Sequence, residues 1–356
     1  MSRFLSPETA GLTPYVPGEQ PQNRQYVKLN TNESPFPPSP RVIEAVSAAE
    51  VGKLNLYSDP ACAALCAAIA EQYGVDPENV IAGNGSDELL SFAFRAFCGT
   101  GVPAVYADIT YGFYKVWAAF YGLEAAVVPL REDFSLCVDD YIGKKGTVFI
   151  ANPNAPTGMA LPVSEIERLL AADPDRAVVV DEAYVDFGGE SCAPLIKKYG
   201  NLLVMQTFSK SRSLAGGRIG FAIGSRELIG DMNRVKFSFN PYNLNRLSIV
   251  AGTAAMEDAE YFGRCRALIL ENRAFTVEAL EKLGFTVLPS AANFVFARSG
   301  AVSGGALYKM LKARGVLVRH FDAPRISDYC RITIGSMEQM RGLLREIRNI
   351  LEGDLA

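Results

Sequence analysis

Histidine is almost absent from this chain of 356 residues, which contains only His320. A catalytic triad built on histidine, or a metal site rich in histidine, is therefore not expected, and acid–base chemistry should fall to lysine, tyrosine, aspartate or a cofactor. The seven cysteines form no Cys-x-x-Cys pair. Their odd number and scattered positions are typical of reduced thiols, so we expect a cytoplasmic protein without a bound metal.

Strong charge and long apolar runs are also missing. The net charge of −4 gives no indication of binding to nucleic acid or to an anionic membrane surface. No apolar run reaches the roughly 18 residues that would indicate a membrane-spanning helix, and the N-terminal residues lack the apolar core of a signal peptide. Neither a nucleic acid nor a membrane is therefore expected as a partner.

The length predicts more than one folding unit, because 356 residues are many for a single hydrophobic core. Residues 1–40 are rich in proline and polar residues, which predicts an extended arm that packs with the small domain or a partner subunit. Residues 41–245 are expected to form a large domain, and residues 246–356 a smaller C-terminal one.

Short apolar segments alternate with helical patterns along the large domain. The strand candidates are Val80–Ala82, Ala104–Tyr106, Ala125–Pro129, Val148–Ala151, Ala177–Val180, Leu202–Gln206 and Ile219–Ile223. The helical patterns between them lie at 87–98, 111–121, 163–172 and 191–199. This alternation predicts an α/β fold with a mostly parallel seven-stranded sheet flanked by helices. The connection before the last strand is too short for a crossover helix, so that strand is expected to run antiparallel.

The C-terminal part follows another pattern. Residues 246–283 are helical almost throughout, which is long for one core helix and predicts a break or bend. The remaining strand candidates lie at 285–288, 293–297, 316–321 and 330–334, with helices near 304–314 and 337–351. This part is therefore predicted to be a small α+β domain.

Polar side chains follow two successive buried-strand patterns. Asp181 ends a run of three valines and is followed by Tyr184, whereas Lys210 comes shortly after the apolar run that begins at Leu202. Arg218 lies eight residues beyond the lysine. Strand C-terminal ends line the ligand crevice of an open α/β sheet, so these groups should converge. A carboxylate, a phenol, an amine and a guanidinium together are what a pyridoxal-phosphate pocket needs.

Each of these groups has a chemical reason to be there. A carboxylate such as Asp181 would keep a pyridinium nitrogen protonated, and Lys210 would form a Schiff base with the cofactor aldehyde and then move protons. Tyr184 would donate to the 3-oxygen of the ring, and Ser209 and Arg218 would bind the phosphate. The alternative is a purely structural ion pair between Asp181 and either Lys210 or Arg218.

A second candidate phosphate site is the segment that includes Gly85, Ser86 and Asp87, between a strand and a helix. Glycine lets the backbone approach a ligand, and the free N–H groups of a helix start attract a phosphate. A dinucleotide-binding motif would require a third glycine, which is missing. An ordinary capped turn explains the same residues. The rigid turn Asn152–Gly158 follows another strand and is expected to form a wall of the site.

At this point the chain resembles the fold-type-I pyridoxal-phosphate aminotransferases, and it is most similar to their histidinol-phosphate aminotransferase branch. The matching motifs occur in the family's order over nearly the whole chain. They are LTPY, LNTNESP, YSDP, GNGSDE, TYGFY, NPNAPTG, VVDEAYVDF, TFSKSRSLAGGRIG, NPYNLN, ANFVF, GVLVRHF and RITIG.

The resemblance implies pyridoxal 5'-phosphate as cofactor, a small-molecule amino donor, a 2-oxo acid acceptor, and a homodimer with shared active sites. Lys210, Asp181 and Tyr184 would be the catalytic residues. The cofactor-binding residues would be Gly85, Ser86, Asp87, Tyr111, Asp181, Tyr184, Thr207, Ser209, Lys210, Arg218 and, from the neighbouring subunit, Tyr57. Arg331 would bind the substrate carboxylate, Arg319 and Tyr15 a substrate phosphate, and Asn32 is a further substrate-binding candidate. For Tyr111, Arg331, Tyr15 and Asn32 a structural or surface role is the alternative.

Two positions depart from the family pattern. The family usually has asparagine directly before Pro-Thr-Gly, where it contacts the 3-oxygen of the ring, but this chain has Ala155. Either Asn154 replaces that contact or Tyr184 makes it alone. Arg212 stands two residues after the lysine, where small or apolar residues are usual, and the sequence offers no role for it.

The function expected from the resemblance is transamination of histidinol phosphate with 2-oxoglutarate or glutamate, in histidine biosynthesis. An aromatic amino-acid aminotransferase or a pyridoxal-phosphate-dependent amino-acid phosphate decarboxylase would keep the same cofactor residues. A regulatory cofactor-binding module is a third possibility, although such proteins usually carry an appended DNA-binding domain.

Overall fold

The computed structural model describes residues 5–353. The first four residues of the expected arm and the last three of the expected small domain therefore lie outside the described part. In this range the strands are β1 (Val27–Lys28), β2 (Val80–Gly83), β3 (Ala104–Ala107), β4 (Ala125–Val128), β5 (Thr147–Ala151), β6 (Val178–Asp181), β7 (Leu202–Thr207), β8 (Gly220–Gly224), β9 (Phe285–Val287), β10 (Phe294–Ser299), β11 (Val316–Leu317), β12 (Arg319–His320) and β13 (Tyr329–Thr333). The α-helices are α1 (Pro7–Ala10), α2 (Pro40–Ala45), α3 (Ala48–Val51), α4 (Ala63–Tyr73), α5 (Ser86–Phe97), α6 (Phe113–Phe120), α7 (Val163–Ala172), α8 (Arg226–Phe239), α9 (Arg246–Glu257), α10 (Ala259–Lys282), α11 (Gly304–Ala313) and α12 (Met337–Leu351).

Seven strands form the large sheet, in the order β2-β8-β7-β6-β5-β3-β4. Neighbouring strands from β4 through β3, β5 and β6 to β7 pair in parallel, and β8 runs antiparallel to both β7 and β2. The predicted mostly parallel sheet and its one antiparallel strand are both confirmed. The C-terminal ends of six strands therefore lie at one edge of the sheet, and β8 begins at that same edge.

Helices cover both faces of this sheet. Along β6, Val179 packs in a cluster with residues of α5 and α8, whereas Val178 and Val180 pack in a cluster with residues of α7. Successive side chains of a strand point to opposite faces, so a strand buried on both sides reads as a continuous apolar run. This is why the three valines before Asp181 are so strong a strand signal.

A second, antiparallel sheet has the order β12-β13-β10-β9 and packs against α10, α11 and α12. The N-terminal arm joins this part of the molecule, because β1 pairs in parallel with β11 and Leu29 is buried in the same cluster. The division of the chain at residue 245 stays a prediction. Helix α9, which follows that point, packs against α2 and α4.

Several local predictions need correction. The helix expected at 191–199 is only a 3-10 segment, Ala193–Lys197, because the apolar pattern there is too short for an amphipathic α-helix. The strand expected at 316–321 is divided into β11 and β12, which join different sheets. Helix α8 was missed, since its glycine and aromatic residues weaken the helical pattern. The break expected in 246–283 is confirmed at Asp258, the N-cap of α10. In residues 5–353 no helix combines the length and the apolar character needed to cross a membrane.

The start of β8 approaches the turn after β2 so closely that Gly220 has no room for a side chain. A Cβ atom there would lie 2.3 Å from the Ser86 nitrogen and 2.5 Å from the Gly85 carbonyl carbon. We predict that Gly220→Ala lowers the free energy of unfolding by about 1–3 kcal/mol, because backbone atoms must shift. Urea unfolding of the purified variant measures this effect.

Gly230→Ala is the matched control, because it lies in α8 with no atom within 4 Å of the added methyl group. It should raise the free energy of unfolding by about 0.5–1 kcal/mol. Equal effects of the two substitutions would contradict the close approach of β8 to the turn.

Candidate active site

A cleft with an empty volume of about 560 Å³ opens at the edge of the sheet where the parallel strands end. Its walls come from the ends of β2, β5, β6 and β7, from the start of β8, and from residues near the starts of α5 and α6. The lining residues are Ser86, Asp87, Tyr111, Ala151, Pro153, Ala155, Asp181, Ala183, Tyr184, Thr207, Ser209, Lys210 and Arg218. The structure thus brings together nearly all of the predicted cofactor residues, which are far apart in the sequence.

Asp181 ends β6 and is buried, with 5% of its surface exposed. Its Oδ2 accepts a hydrogen bond from the Tyr114 hydroxyl at 3.1 Å, and its Oδ1 accepts one from the Ala183 N–H at 3.2 Å. Burial raises the pKa of this carboxyl group to about 6. In residues 5–353 no lysine or arginine forms a salt bridge with it. A buried carboxylate of this kind suits the N–H of a protonated pyridine ring.

Lys210 faces the same cleft from the loop after β7. Its Nζ donates a hydrogen bond to the Thr31 carbonyl at 3.1 Å and lies 5.7 Å from the centre of the Tyr184 ring. Arg218 instead forms a salt bridge with Asp87 at 3.2 Å. Neither cation pairs with Asp181, so the alternative of a purely structural ion pair is wrong. The amine is held by a single carbonyl contact, which leaves it available for chemistry.

The turn between β2 and α5 forms a cup for an anion. Gly85 has a φ of 83°, and a Cβ atom there would lie 2.5 Å from Nη2 of Arg218. Ser86 begins α5, so the N-terminal N–H groups of that helix face the cup. Opposite them, Ser209 is buried and its hydroxyl has no hydrogen-bond partner among the described residues. An unpaired hydroxyl, a helix start and an arginine together fit a phosphate group.

Tyr111 lines the cleft beside this cup. Its hydroxyl donates to Asp87 Oδ1 at 2.6 Å, and its ring meets the Tyr114 ring edge to face, with centres 5.7 Å apart. Burial raises the pKa of Tyr111 well above its ordinary value. The expected role of this ring, stacking on a cofactor, stays a prediction that its position allows.

Asn154 does not take the place of the asparagine that Ala155 replaces. Its Nδ2 donates to the Ile109 carbonyl at 3.0 Å and to Thr157 Oγ1 at 3.1 Å, and its Oδ1 accepts from Thr110 at 2.8 Å. These contacts hold the amide away from the cleft, whereas Ala155 itself lines the cleft. Of the two options for the 3-oxygen contact, Tyr184 acting alone is the one that this arrangement supports.

The predicted substrate residues come from the arm and the small sheet. Arg331 donates from Nη2 to the Asn30 carbonyl at 3.0 Å, and burial lowers the pKa of its guanidinium. Its Nε is buried without a hydrogen-bond partner among the described residues. Arg319 donates to carbonyls of the arm, and the Tyr15 ring stacks on Phe113 with centres 4.3 Å apart. These contacts make the arm one side of the cleft mouth.

Two predicted residues lie elsewhere. Asn32 contacts the Tyr184 hydroxyl instead of lining the cleft. Tyr57 is 80% exposed and stacks on Tyr242, with ring centres 4.5 Å apart, and it does not line the cleft of its own chain. The sequence could not place either residue, because both positions depend on long-range contacts.

The family model for class I and II aminotransferases matches residues 24–347. The chain belongs to this family. A histidinol-phosphate aminotransferase from Aromatoleum aromaticum is 50% identical over 355 residues, which cover 99% of this chain and 100% of the relative. The solved histidinol-phosphate aminotransferase of Sinorhizobium meliloti, in complex with pyridoxal-5'-phosphate, covers 100% of this chain and 99% of its own, with a TM-score of 0.90 and 25% identity. The solved L-threonine-O-3-phosphate decarboxylase of Porphyromonas gingivalis covers 91% of this chain and 99% of its own, with a TM-score of 0.78 and 25% identity.

Sequence reasoning missed two residues of this aminotransferase that support the site. Tyr114 is fully buried and binds Asp181; its position three residues after Tyr111, inside the TYGFY motif, was the available signal. Arg212 donates from Nη1 to the Ala255 carbonyl at 2.8 Å, and its guanidinium lies 4.4 Å from the centre of the Phe262 ring. It therefore ties the lysine loop to the junction of α9 and α10, for which the sequence offered no signal.

Burial of the Asp181 carboxylate should make the stability of the cofactor-free aminotransferase depend on pH. Its pKa rises from 3.8 to about 6 on folding, so the folded protein retains a proton that the unfolded chain releases in this window. The free energy of unfolding therefore falls as the pH rises from 3.8 to about 6. We predict that Asp181→Asn is more stable than the wild type above pH 6, by up to about 3 kcal/mol, and that the difference disappears below about pH 4.

Urea unfolding at several pH values measures this difference. Glu182 is buried beside Asp181 and burial raises its pKa to about 7, but it titrates in both proteins and cancels in the comparison. If the difference in unfolding free energy between Asp181→Asn and the wild type does not change between pH 4 and 8, burial does not destabilise the charged Asp181 carboxylate.

Proposed function

We propose that this aminotransferase transfers the amino group of histidinol phosphate to 2-oxoglutarate with pyridoxal phosphate as cofactor, or runs the same reaction in reverse with glutamate, in histidine biosynthesis. The observation that supports this cofactor is that Asp181 and Lys210 line the same cleft, although the Asp181 carboxylate forms no salt bridge among the described residues. Support for the substrate comes from the 50% identity to a relative of that name over its full length.

The residues present fit the cofactor at each of its polar groups. The cup formed by Ser86, Ser209 and Arg218 would hold the phosphate, and Asp181 would hold the ring nitrogen. When bound, pyridoxal phosphate supplies an aldehyde for exchange of the amino group and a ring that withdraws electrons from the carbon bearing it. Tyr184 would donate its hydroxyl proton to the 3-oxygen of the ring.

Lys210 has two tasks in this proposal. Its Nζ would hold the cofactor covalently before the substrate amine displaces it, and the freed Nζ would then carry a proton to and from the substrate carbon. Asp181, shielded from water by its burial, would keep the ring nitrogen protonated throughout. Because each half of the reaction uses the same groups, ping-pong kinetics are expected.

Two cations would distinguish the substrates. Arg331 is half-buried, and its buried Nε lacks a hydrogen-bond partner among the described residues, so it suits the carboxylate of glutamate. Arg319 lies on the neighbouring strand. Burial raises the pKa of Tyr15, and the charges of Arg319 and Arg331 offset part of that rise. A phosphate monoester at the cleft mouth would meet Arg319 and Tyr15.

A phosphate-specific decarboxylase is the second candidate, because the L-threonine-O-3-phosphate decarboxylase of Porphyromonas gingivalis shares the fold and, by its name, acts on a compound that carries a phosphate. An aromatic amino-acid aminotransferase would use the same cofactor residues. The identity of 50% to a histidinol-phosphate aminotransferase, against 25% to this decarboxylase, favours the first proposal over the decarboxylase.

We further propose a homodimer in the cytoplasm. Two neighbouring segments, joined by the stacked rings of Tyr57 and Tyr242, expose large apolar side chains. Leu56, Phe237 and Phe239 are 59%, 50% and 74% exposed. Exposed apolar side chains on two adjoining segments suit an interface, and Tyr57 would reach the cleft of the second subunit across it. The free cysteines of residues 5–353 suit a reducing compartment.

We predict that Lys210→Ala lowers the rate of amino transfer by at least about 10³-fold, because the substrate carbon loses its proton carrier. The wild type should show a cofactor absorbance band near the visible edge that hydroxylamine removes, and the variant should lack it. Lys198→Ala is the control, since Lys198 is exposed and only pairs with Glu167 at 2.7 Å. A wild-type protein that takes up no pyridoxal phosphate would contradict the proposal.

The substrate is decided by single-turnover reactions of the loaded wild type with histidinol phosphate, phenylalanine and O-phosphothreonine. Fastest conversion of the bound cofactor to its aminated form with histidinol phosphate is expected. Faster reaction with phenylalanine would support the aromatic aminotransferase, and release of carbon dioxide from O-phosphothreonine without a keto acid would support the decarboxylase.

We predict that Phe239→Asp weakens the dimer by about 30-fold or more in its dissociation constant, because a charge would be buried at the centre of the apolar surface. Sedimentation velocity over a range of protein concentrations measures this constant. Val127→Asp is the control, since Val127 is 52% exposed on the edge strand β4. A wild-type protein that sediments as a monomer at micromolar concentration would contradict the proposed dimer.

A further inference from the structure

A chain of hydrogen bonds runs from the small sheet through the arm to Tyr184. The Asn32 backbone N–H donates to Thr333 Oγ1 at 3.0 Å, and that hydroxyl donates to Asn32 Oδ1 at 2.9 Å. The Asn32 Nδ2 then donates to the Tyr184 hydroxyl oxygen at 2.9 Å. Thr333 and Asn32 are 2% and 1% exposed, so water does not compete for these contacts.

The direction of this chain follows from the Thr333 hydroxyl. Its oxygen already accepts the Asn32 backbone N–H, so its proton needs an acceptor, and Asn32 Oδ1 supplies one. If the amide were turned over, its NH₂ group would face Thr333 and the buried hydroxyl proton would lose that acceptor. Thr333 therefore sets the amide so that its NH₂ group faces Tyr184.

The backbone of Asn32 is also fixed, by its left-handed conformation and by a hydrogen bond to its carbonyl. Its φ of 56° lies in the left-handed region, which asparagine tolerates better than most residues. Asn293 Nδ2 donates to the Asn32 carbonyl at 3.0 Å. The amide thus has a fixed position as well as a fixed direction.

The consequence appears at the cleft. Because the Tyr184 oxygen accepts from Asn32, its own proton is free to point into the cleft that Tyr184 lines. Ala155, on the neighbouring wall, has no polar side-chain atom, and Asn154 is turned away. Tyr184 is therefore the donor that this wall offers, and it is a donor only while the Asn32 amide keeps its direction.

We propose that Thr333 and Asn32 are positioning residues that hold Tyr184 as the hydrogen-bond donor to the 3-oxygen of the cofactor, in place of the donor that Ala155 lacks. This proposal rests on the proposed function, because it assumes that pyridoxal phosphate occupies the cleft. It replaces the expectation that Asn32 binds substrate: Asn32 acts through Tyr184.

The test is a pH titration of the absorbance of the bound cofactor. A donor at the 3-oxygen stabilises the unprotonated form of the chromophore, in which that oxygen carries its full negative charge, and so lowers the midpoint of the titration. Thr333→Val, which frees the amide to turn over, should raise the midpoint by about half a unit to one unit, as expected for one hydrogen bond. Thr333→Ser keeps the hydroxyl and should restore the wild-type midpoint.

A second variant and a control protect this test from effects on folding. Asn32→Gly removes the amide while tolerating the left-handed backbone. Its midpoint should stay near that of the wild type, because no amide oxygen can then take the Tyr184 proton. Thr276→Val is the matched control, because Thr276 is a fully buried threonine whose hydroxyl donates to the Asn272 carbonyl within α10. Its midpoint should equal that of the wild type.

An unchanged midpoint in Thr333→Val would overturn the proposal, and so would a shift of the same size in Asn32→Gly or in Thr276→Val. Neutron diffraction on cofactor-free crystals tests the hydrogen-bond direction separately. Deuterons of the Asn32 amide on the Tyr184 oxygen are expected, whereas a Tyr184 deuteron pointing at Asn32 would overturn the proposal. A wild type that binds no pyridoxal phosphate would instead refute the proposed function, while the neutron result would still decide the direction.

Discussion

The burial of one carboxylate at the end of a hydrophobic strand is the constraint on which the active site depends. Asp181 sits below the cleft with a phenol and a backbone N–H as its contacts, and no cation pairs with it among the described residues. Such a group costs free energy in the folded protein until a positively charged partner arrives. The buried Asp181 carboxylate is therefore unfavourable without a cationic partner, and a protonated ring nitrogen in the cleft would offset that cost.

The cleft is completed by segments that do not belong to the large sheet. The arm lies against the small sheet through the pairing of β1 with β11, and it brings the Thr31 carbonyl to Lys210 and the Asn32 amide to Tyr184. Arg331 donates to the arm from the other side. Any movement of the arm or the small sheet would therefore displace the groups that contact the Lys210 amine, the Tyr184 phenol and the Arg331 guanidinium.

The residues proposed for the cofactor and those proposed for the substrate belong to different parts of the molecule. The candidate cofactor groups are fixed by the large sheet, whose strand ends cannot move without disturbing cores on both faces. The candidate substrate groups, Tyr15, Arg319 and Arg331, are set by contacts between the arm and the small sheet. With this separation, the substrate groups could change while the fold and the cofactor groups stay the same.

The sequence by itself determined the mostly parallel sheet, its one antiparallel strand and the gathering of Asp181, Lys210 and Arg218, because buried strands have continuous apolar runs and parallel strands end at one edge. It did not show that Asn154 turns away from the cleft, that Asn32 contacts Tyr184, or that Arg212 stacks on Phe262. Those outcomes depend on which of several available hydrogen-bond or ring partners each polar side chain contacts in the folded chain. Tertiary contacts between residues distant in the sequence decide that choice, from 43 positions apart for Arg212 and Ala255 to 301 for Asn32 and Thr333.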